Sequence, residues 1–551
     1  MSIPKGLIIY KPLRYTASFP VCTKYRFGSN KIYYTSNPTD MKRQEKTISS
    51  KGSKQIFHVI RTSSIQITQS LRFIRYLSAI TTLKRLSLTV VIAHNSKISQ
   101  KMINDFFCCI FTRAKRINHI DLTIYGNRSC EKILLNQLSL LSSLEKLKVR
   151  FVNFVPISSL SSFAQFIKRR GSFPCLHSQA FELNLLKWEN VSIQDIDSFF
   201  EKLEDFEQLS SKKTKLLLHL ILDPSFDPLL SKKLAKLQYL TNLSLKSGSS
   251  LGTDIITSLN GVTNLENIMI KLSNDQVLNS IDLLPKTLSK MELLQSLKLE
   301  IVNCTQTQTM IEFMSQLDLT TQLISLDLFF NNIKEIDDNL FIVLGKSLSK
   351  LQNLHYLSLS IAKSGGDSSK ITSFGVGSLF KAFKNLIILK ELTLSFPFYG
   401  KTINDQVFGV LCESVGNLVN LRTLMLDFGS NTIGNQGIAC LQKIMSFLPK
   451  LETLCLYFSH NELLPCGVFE EFIRNLCCFS VLSKLDLIFS CLKMTQELSS
   501  AFTLLANNLK CLNNLLLILF TSQHVPNYEL TNLYNKLIKK YNVEIQTHVG
   551  V

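Results

Sequence analysis

The chain has 551 residues, 45% of them hydrophobic, so it can bury a large core and is too long for one ordinary domain of roughly 100 to 200 residues. Its net charge of +20 favours an anionic partner, and no apolar run nears the roughly 20 residues of a membrane-spanning helix; the nearest, Leu515 to Phe520, is far too short. Fourteen Cys without CxxC spacing follow an N-terminus (Met1 to Tyr10) that lacks a secretory-signal pattern, which points to a reducing compartment and buried thiols.

The positive charge is confined to the start of the chain. Residues 1–180 hold 29 Lys and Arg against 6 Asp and Glu, a net of +23, while 181–551 hold 32 and 35, a net of −3. Residues 1–55 show no repeat, and Pro4, Pro12, Pro20 and Pro38 predict an extended or disordered segment. Its basic residues (Lys5, Lys11, Arg14, Lys24, Arg26, Lys31) interleave with Tyr10, Tyr15, Tyr25, Phe27, Tyr33 and Tyr34. That mixture suits an electrostatic dock, and residues 1–35 also have the basic, acid-free character of an organelle presequence. Ile56 to Ile60 and Ser63 to Tyr76 read as an atypical first unit, opening a basic region over 56–180.

From residue 80 one pattern recurs, Leu-x-x-Leu-x-Leu. It opens as Leu83-x-x-Leu86-x-Leu88, Ile117-x-x-Ile120-x-Leu122 and Leu144-x-x-Leu147-x-Val149. Two weaker copies, Leu183-x-Leu185 and Leu218-x-Leu220, precede a regular series that begins at Leu240, Leu265, Leu294, Leu323, Leu354, Leu389, Leu421, Leu451, Leu482 and Leu512. From Leu83 to Leu512 the spacing averages about 31 residues. The apolar residues alternate with period two, often one step further (Leu326, Leu328, Phe330; Leu424, Leu426, Phe428), which predicts a short half-buried strand. Between strands the period turns helical: Ile438, Leu441, Ile444, Met445 and Leu448 form one stripe.

Units near 30 residues with a strand and a full helix resemble the ribonuclease-inhibitor-like class of leucine-rich repeats, as in Asn431 to Leu456 and Lys401 to Leu426. The resemblance spans about residues 57–551. It implies an α/β solenoid, a horseshoe with parallel strands on the concave face and helices on the convex face; by charge count its part over 181–551 is near neutral. It also implies protein binding. The Asn or Cys that the class places beyond the last Leu is often absent, so the strand-to-helix turn stays unspecified. Tyr528 to Lys540 with Val543-x-Ile545 reads as a C-terminal cap.

Catalytic motifs reduce to decoys. Gly345-Lys346-Ser347 and Gly400-Lys401-Thr402 end like a phosphate loop, but Leu340 and Ser395 stand where its first Gly belongs, so both read as repeat turns. Gly375-Val-Gly377 lacks a third Gly, and Lys363 to Lys370 reads as a surface loop. Cys175-Leu-His177 is a lone pair, and no HExxH occurs. Asp337-Asp338 belongs at a helix start.

The expected function is therefore a non-enzymatic binding scaffold, without catalytic, metal or cofactor residues, that holds a protein partner within a larger assembly. The alternative is a subunit of a nucleic-acid-containing particle. In either case an acidic protein surface, RNA or DNA would dock on residues 1–180, with Lys84, Arg85, Lys146, Lys148, Arg150, Lys168, Arg169 and Arg170 as candidates. The expected location is intracellular, cytoplasmic or nuclear, or mitochondrial if residues 1–35 act as a presequence.

Overall fold

A computed structural model describes residues 258–273, 281–303, 307–333, 336–363, 370–462, 464–491 and 495–521, and elsewhere mainly the backbones of single strands. The chain divides into two compact units: Pro12–Ser247 with Thr257–Ile268, and Met269–Val551 with Gly248–Ile256 and Met1–Lys11.

In the N-terminal unit the described strands are β1 (Lys31–Tyr34), β2 (Gln55–Thr62), β3 (Arg85–Ile92), β4 (His119–Tyr125), β5 (Lys146–Val152), β6 (Ser178–Asn184), β7 (Lys215–Leu222) and β8 (Leu240–Ser247). Each pairs in parallel with the next. The pairing of β1 with β2 places a strand inside the stretch that shows no repeat in sequence. The register also corrects one copy: Phe181 faces Leu218 and Leu183 faces Leu220, so the weak copy is Phe181 and Leu183, not Leu183 and Leu185. Phe181, Leu183 and Leu185 alternate without a break, and period two alone cannot choose the phase. Pairing with β5 chooses it, by setting Val149 opposite Phe181.

The C-terminal unit is an α/β arrangement around a ten-stranded parallel sheet. Its strands run in chain order as β9 (Asn267–Ser273), β10 (Ser296–Val302), β11 (Ser325–Ile333), β12 (Tyr356–Lys363), β13 (Glu391–Ser395), β15 (Thr423–Asp427), β17 (Thr453–Phe458), β18 (Lys484–Cys491), β19 (Asn514–Thr521) and β20 (Asn542–Val549). Two short strands, β14 (Gly400–Asn404) and β16 (Asn431–Thr432), pair separately. The described helices are α1 (Leu284–Leu288), α2 (Thr307–Ser315), α3 (Asp338–Leu348), α4 (Ser373–Ala382), α5 (Asp405–Val415), α6 (Asn435–Met445), α7 (Cys466–Asn475) and α8 (Gln496–Asn508). None is long and apolar enough to cross a membrane.

Leucines fall into register from strand to strand. Leu297, Leu326, Leu357, Leu392, Leu424, Leu454, Leu485 and Leu515 form one buried column. Leu299, Leu328, Leu359, Leu394, Leu426, Leu456, Leu487 and Leu517 form the next. Beyond them the core turns aromatic. Phe396, Phe428, Phe458 and Phe489 stack in succession at centroid spacings of 5.9, 6.1 and 5.2 Å. Helical rings meet them edge-on: Phe380 of α4 against Phe396 and Phe408 of α5 against Phe428, both at 5.5 Å. Each ring buries enough apolar area to contribute about 1.5–3 kcal/mol, with a further 0.5–1.5 kcal/mol or so from ring geometry.

Side-chain caps start the helices. Asp337 accepts from the Leu340 N–H, Asn404 from Val407 and Thr495 from Leu498. Helix α6 begins at Gly434, which has no side chain to cap with, and Asp405 of the preceding copy serves instead. Its carboxylate takes the Gly434 N–H at 2.6 Å and the Gln436 N–H at 3.2 Å. Asp338 acts likewise two copies earlier, accepting from the Thr372 N–H at 2.7 Å and its hydroxyl at 2.6 Å. Both contacts need a bare neighbour: a Cβ at Gly437 would lie 2.6 Å from Asp405 Oδ1, and one at Gly375 would lie 2.8 Å from Asp338 Cα.

The phosphate-loop decoys separate here. Gly345-Lys346-Ser347 lies inside α3, in its last turns, and not in a connecting turn; Gly400-Lys401-Thr402 lies in β14, within a strand-to-helix turn. Of Lys363 to Lys370, residues 364–369 lie outside the described residues, as do Cys175 and His177.

Candidate binding face

Among the described residues the leucine face of the C-terminal sheet is buried and the opposite face is mostly half-buried. The residues that alternate with the buried leucines, among them Lys298, Asp327, Ser358, Thr393, Met425 and Leu516, stay half-buried, and β10 alternates strictly between the two states. All-parallel sheets are ordinarily covered on both faces. An uncovered one leaves a row of side chains, about 4.8 Å apart from strand to strand, free to meet a partner.

Two charged groups interrupt this face. On β9 to β11 the charges alternate in sign: Lys271 meets Glu300 at 2.5 Å, and Lys298 bridges Glu300 at 3.3 Å and Asp327 at 2.6 Å. Burial pushes the Glu300 carboxyl up, but Lys271 and Lys298 outweigh it and hold it below the usual carboxylate range. Burial pushes Lys298 down, and Asp327 and Glu300 together hold it above the usual lysine value. Beside them, burial raises the Tyr356 hydroxyl.

The second group sits on β17 and β18. Asp486, whose side chain is only 8% exposed, has one oxygen, Oδ2, that takes Lys484 at 2.7 Å, the Tyr457 hydroxyl at 3.2 Å and the Cys455 thiol at 3.4 Å. The hydrogen bond to Asp486 holds Lys484 above its ordinary value despite partial burial. Burial and the Asp486 charge push the Cys455 thiol up to about 11, and burial raises Tyr457 as well. Such a thiol is protonated near neutral pH, so this is a desolvated polar anchor and not an activated nucleophile. Met425, Ile488, Leu516 and Ile518 lie half-buried on the same face around it. Among the described residues no three His, Cys, Asp or Glu side chains gather in a metal-binding group.

The strand-to-helix turns, unspecified in sequence, turn out to share one backbone device. Asn303, Asn332, Phe398, Ser430 and His460 all have φ between 55° and 67°, and they stand two residues beyond the buried Ile301, Phe330, Phe396, Phe428 and Phe458. The Asn that the sequence resemblance would place there stands after two of them, Ser430 and His460. Asn431 accepts from the Tyr399 N–H at 3.0 Å and donates to the Phe396 and Phe428 carbonyls at 2.9 Å. Asn461 repeats this, accepting from Ile433 and donating to Phe428. Their spacing of one copy was the available signal.

Of the docking residues expected from sequence, Lys84, Lys168, Arg169 and Arg170 lie outside the described residues. The other four come together in the N-terminal unit. Lys146, Lys148 and Arg150 take alternate positions of β5, which share one face of a strand. Arg85 stands two strands away, in line with Lys146 through His119. The register also sets Asp121 opposite Lys148 and Glu182 opposite Arg150, so the patch is not wholly basic.

A scan against protein-family models finds no match for this chain, and a search of curated proteins finds none either.

Proposed function

We propose that the chain is a leucine-rich-repeat solenoid of the ribonuclease-inhibitor-like class, acting inside the cell as a non-enzymatic scaffold that holds a protein partner on its open strand face. The observation that carries this reading is the half-buried face of the parallel sheet, where Met425, Tyr457, Ile488, Leu516 and Ile518 surround the shielded Asp486 carboxylate and its partner Lys484. Aromatic and apolar anchors around a shielded polar group are the composition of the energetic centre of protein interfaces. Affinity purification of the tagged chain tests it, with wild type and a Met425→Glu, Ile488→Glu double variant compared after nuclease treatment. Partners should persist through nuclease and be lost with the variant; partners equally retained by the variant sink the open face as their site.

A second reading rests on the register that aligns Arg85, Lys146, Lys148 and Arg150. It makes the N-terminal unit a dock for RNA, DNA or an acidic protein surface. Binding of a single-stranded RNA should fall steeply with salt and be abolished by Lys146→Glu, Lys148→Glu. Binding unchanged in that variant would end the reading.

A further inference from the structure

Strands β10 to β19 carry four carboxylates that are buried or half-buried: Glu300, Asp327, Asp427 and Asp486. Three of them hold a cation. Lys271 and Lys298 meet Glu300, Lys298 meets Asp327, and Lys484 meets Asp486. Asp427, the last residue of β15, forms no ion pair among the described residues. Its oxygens accept only from neutral donors, the Ser395 hydroxyl at 2.9 Å and the Gly429 N–H at 3.4 Å. Tyr457 stands opposite it in register but gives its hydroxyl to Asp486.

The other charges of this region cancel. Arg422 bonds Glu452 at 3.1 Å, Lys484 bonds Asp486 at 2.7 Å, and exposed Lys390 is matched by its exposed neighbour Glu391. One negative charge is left over, and it sits on Asp427.

Apolar side chains continue from it. Register carries one row from Asp427 to Tyr457, Ile488 and Ile518, all half-buried, with Met425 and Leu516 in the row beside it. At about 4.8 Å per strand, Ile488 lies about 10 Å from Asp427 and Ile518 about 14 Å. A half-buried carboxylate in such company has lost part of its hydration. A cation that arrives with an apolar body covers the site from water and meets the charge there.

We propose that the partner held on this face is a polypeptide segment that sets an Arg or Lys on Asp427 and an apolar side chain on Ile488 and Ile518. In an extended chain the two are about three or four residues apart. The inference rests on the reading of this face as a protein-binding site, and it names the chemistry that the site selects.

Panning a random-peptide phage library on the full chain tests it, with enriched peptides titrated by fluorescence anisotropy. The peptides should carry Arg or Lys about three or four residues from Leu, Ile, Phe or Met, and binding should be lost with Met425→Glu, Ile488→Glu. Asp427→Asn, which keeps the shape of the side chain, should weaken them about tenfold. The same substitution should leave unchanged the affinity of a peptide whose cation is replaced by Gln, because that pair is already broken. Peptides that need Met425 and Ile488 but are acidic or neutral, or that bind Asp427→Asn as tightly as wild type, overturn this inference and leave the scaffold reading standing. An equal loss for the cationic and the Gln peptide marks a damaged face and also overturns it. Peptides retained by Met425→Glu, Ile488→Glu overturn it together with the open face as a binding site. If no peptide is enriched the inference falls, and the affinity purification decides the scaffold reading.

Discussion

On β9 to β11, Lys271, Glu300, Lys298 and Asp327 alternate in sign, and the Glu300 and Asp327 side chains are 14% and 19% exposed against 8% for Asp486. On β17 and β18, Lys484 and Asp486 form a pair of the same chemistry, but Asp486 is shielded by Tyr457, Cys455 and Lys484 itself. The difference is what surrounds the carboxylate. In the first group Glu300 keeps Lys271 when Lys298 is lost, and Asp327 keeps some access to water, so losing that one partner costs little. In the second, losing the cation leaves a buried anion with only neutral donors.

The largest expected effect follows from removing that cation. Lys484→Met should lower stability by about 3 kcal/mol at neutral pH, measured by urea unfolding. A loss below about 1 kcal/mol would contradict the assignment of Asp486 as a shielded charge.

Two hydroxyl deletions sharpen the contrast by their signs. Tyr457→Phe removes a donor to the shielded carboxylate and should cost about 1.5 kcal/mol. Tyr399 is buried against Phe341 and Phe396, and its hydroxyl has no partner among the described residues. Tyr399→Phe should therefore stabilise by about 1 kcal/mol. If both substitutions destabilise equally, hydrogen bonding to Asp486 is not what distinguishes the two tyrosines.

Lys298→Ala should cost less than about 1 kcal/mol, and about 1 M salt should erase most of the difference while leaving the Lys484→Met deficit intact. Because Glu300 is held low, its contribution is complete above its unfolded-state value and is lost as pH falls through the folded one. A salt-insensitive deficit would mean that the first group is as shielded as the second. The smallest effect is kinetic: iodoacetamide at pH 8 should alkylate Cys455, buried and held up at about 11, far more slowly than exposed Cys511.

The repeating strands were legible in the sequence because Leu326, Leu328 and Phe330 alternate locally, and the helical stripe Ile438, Leu441, Ile444, Met445 is buried as its spacing predicts. The phase of Leu183 was not, since an unbroken alternation carries no phase of its own. Nor were the charged groups. Lys484 and Asp486 are two apart, but Cys455 and Tyr457 belong to the previous copy and come near only through the register of β17 with β18. Overlaying successive copies as columns would have exposed them. The left-handed turns escaped for another reason: Phe398 and His460 do not look like turn residues, and the next copy holds them there, the Phe398 N–H on the Gly429 carbonyl and the His460 N–H on the Ser490 hydroxyl.

Asp338 and Asp405 each give their carboxylate to the helix of the following copy. A ribosome makes the giver before the receiver. While the chain emerges, the newest copy ends in an acceptor that waits, and the next copy arrives with the N–H groups that fill it. At these two seams the earlier copy supplies the acceptor before its donors exist. A deletion that joins residue 405 to a copy lacking the Gly434 and Gly437 pair would break the succession at the seam, however well its leucines matched.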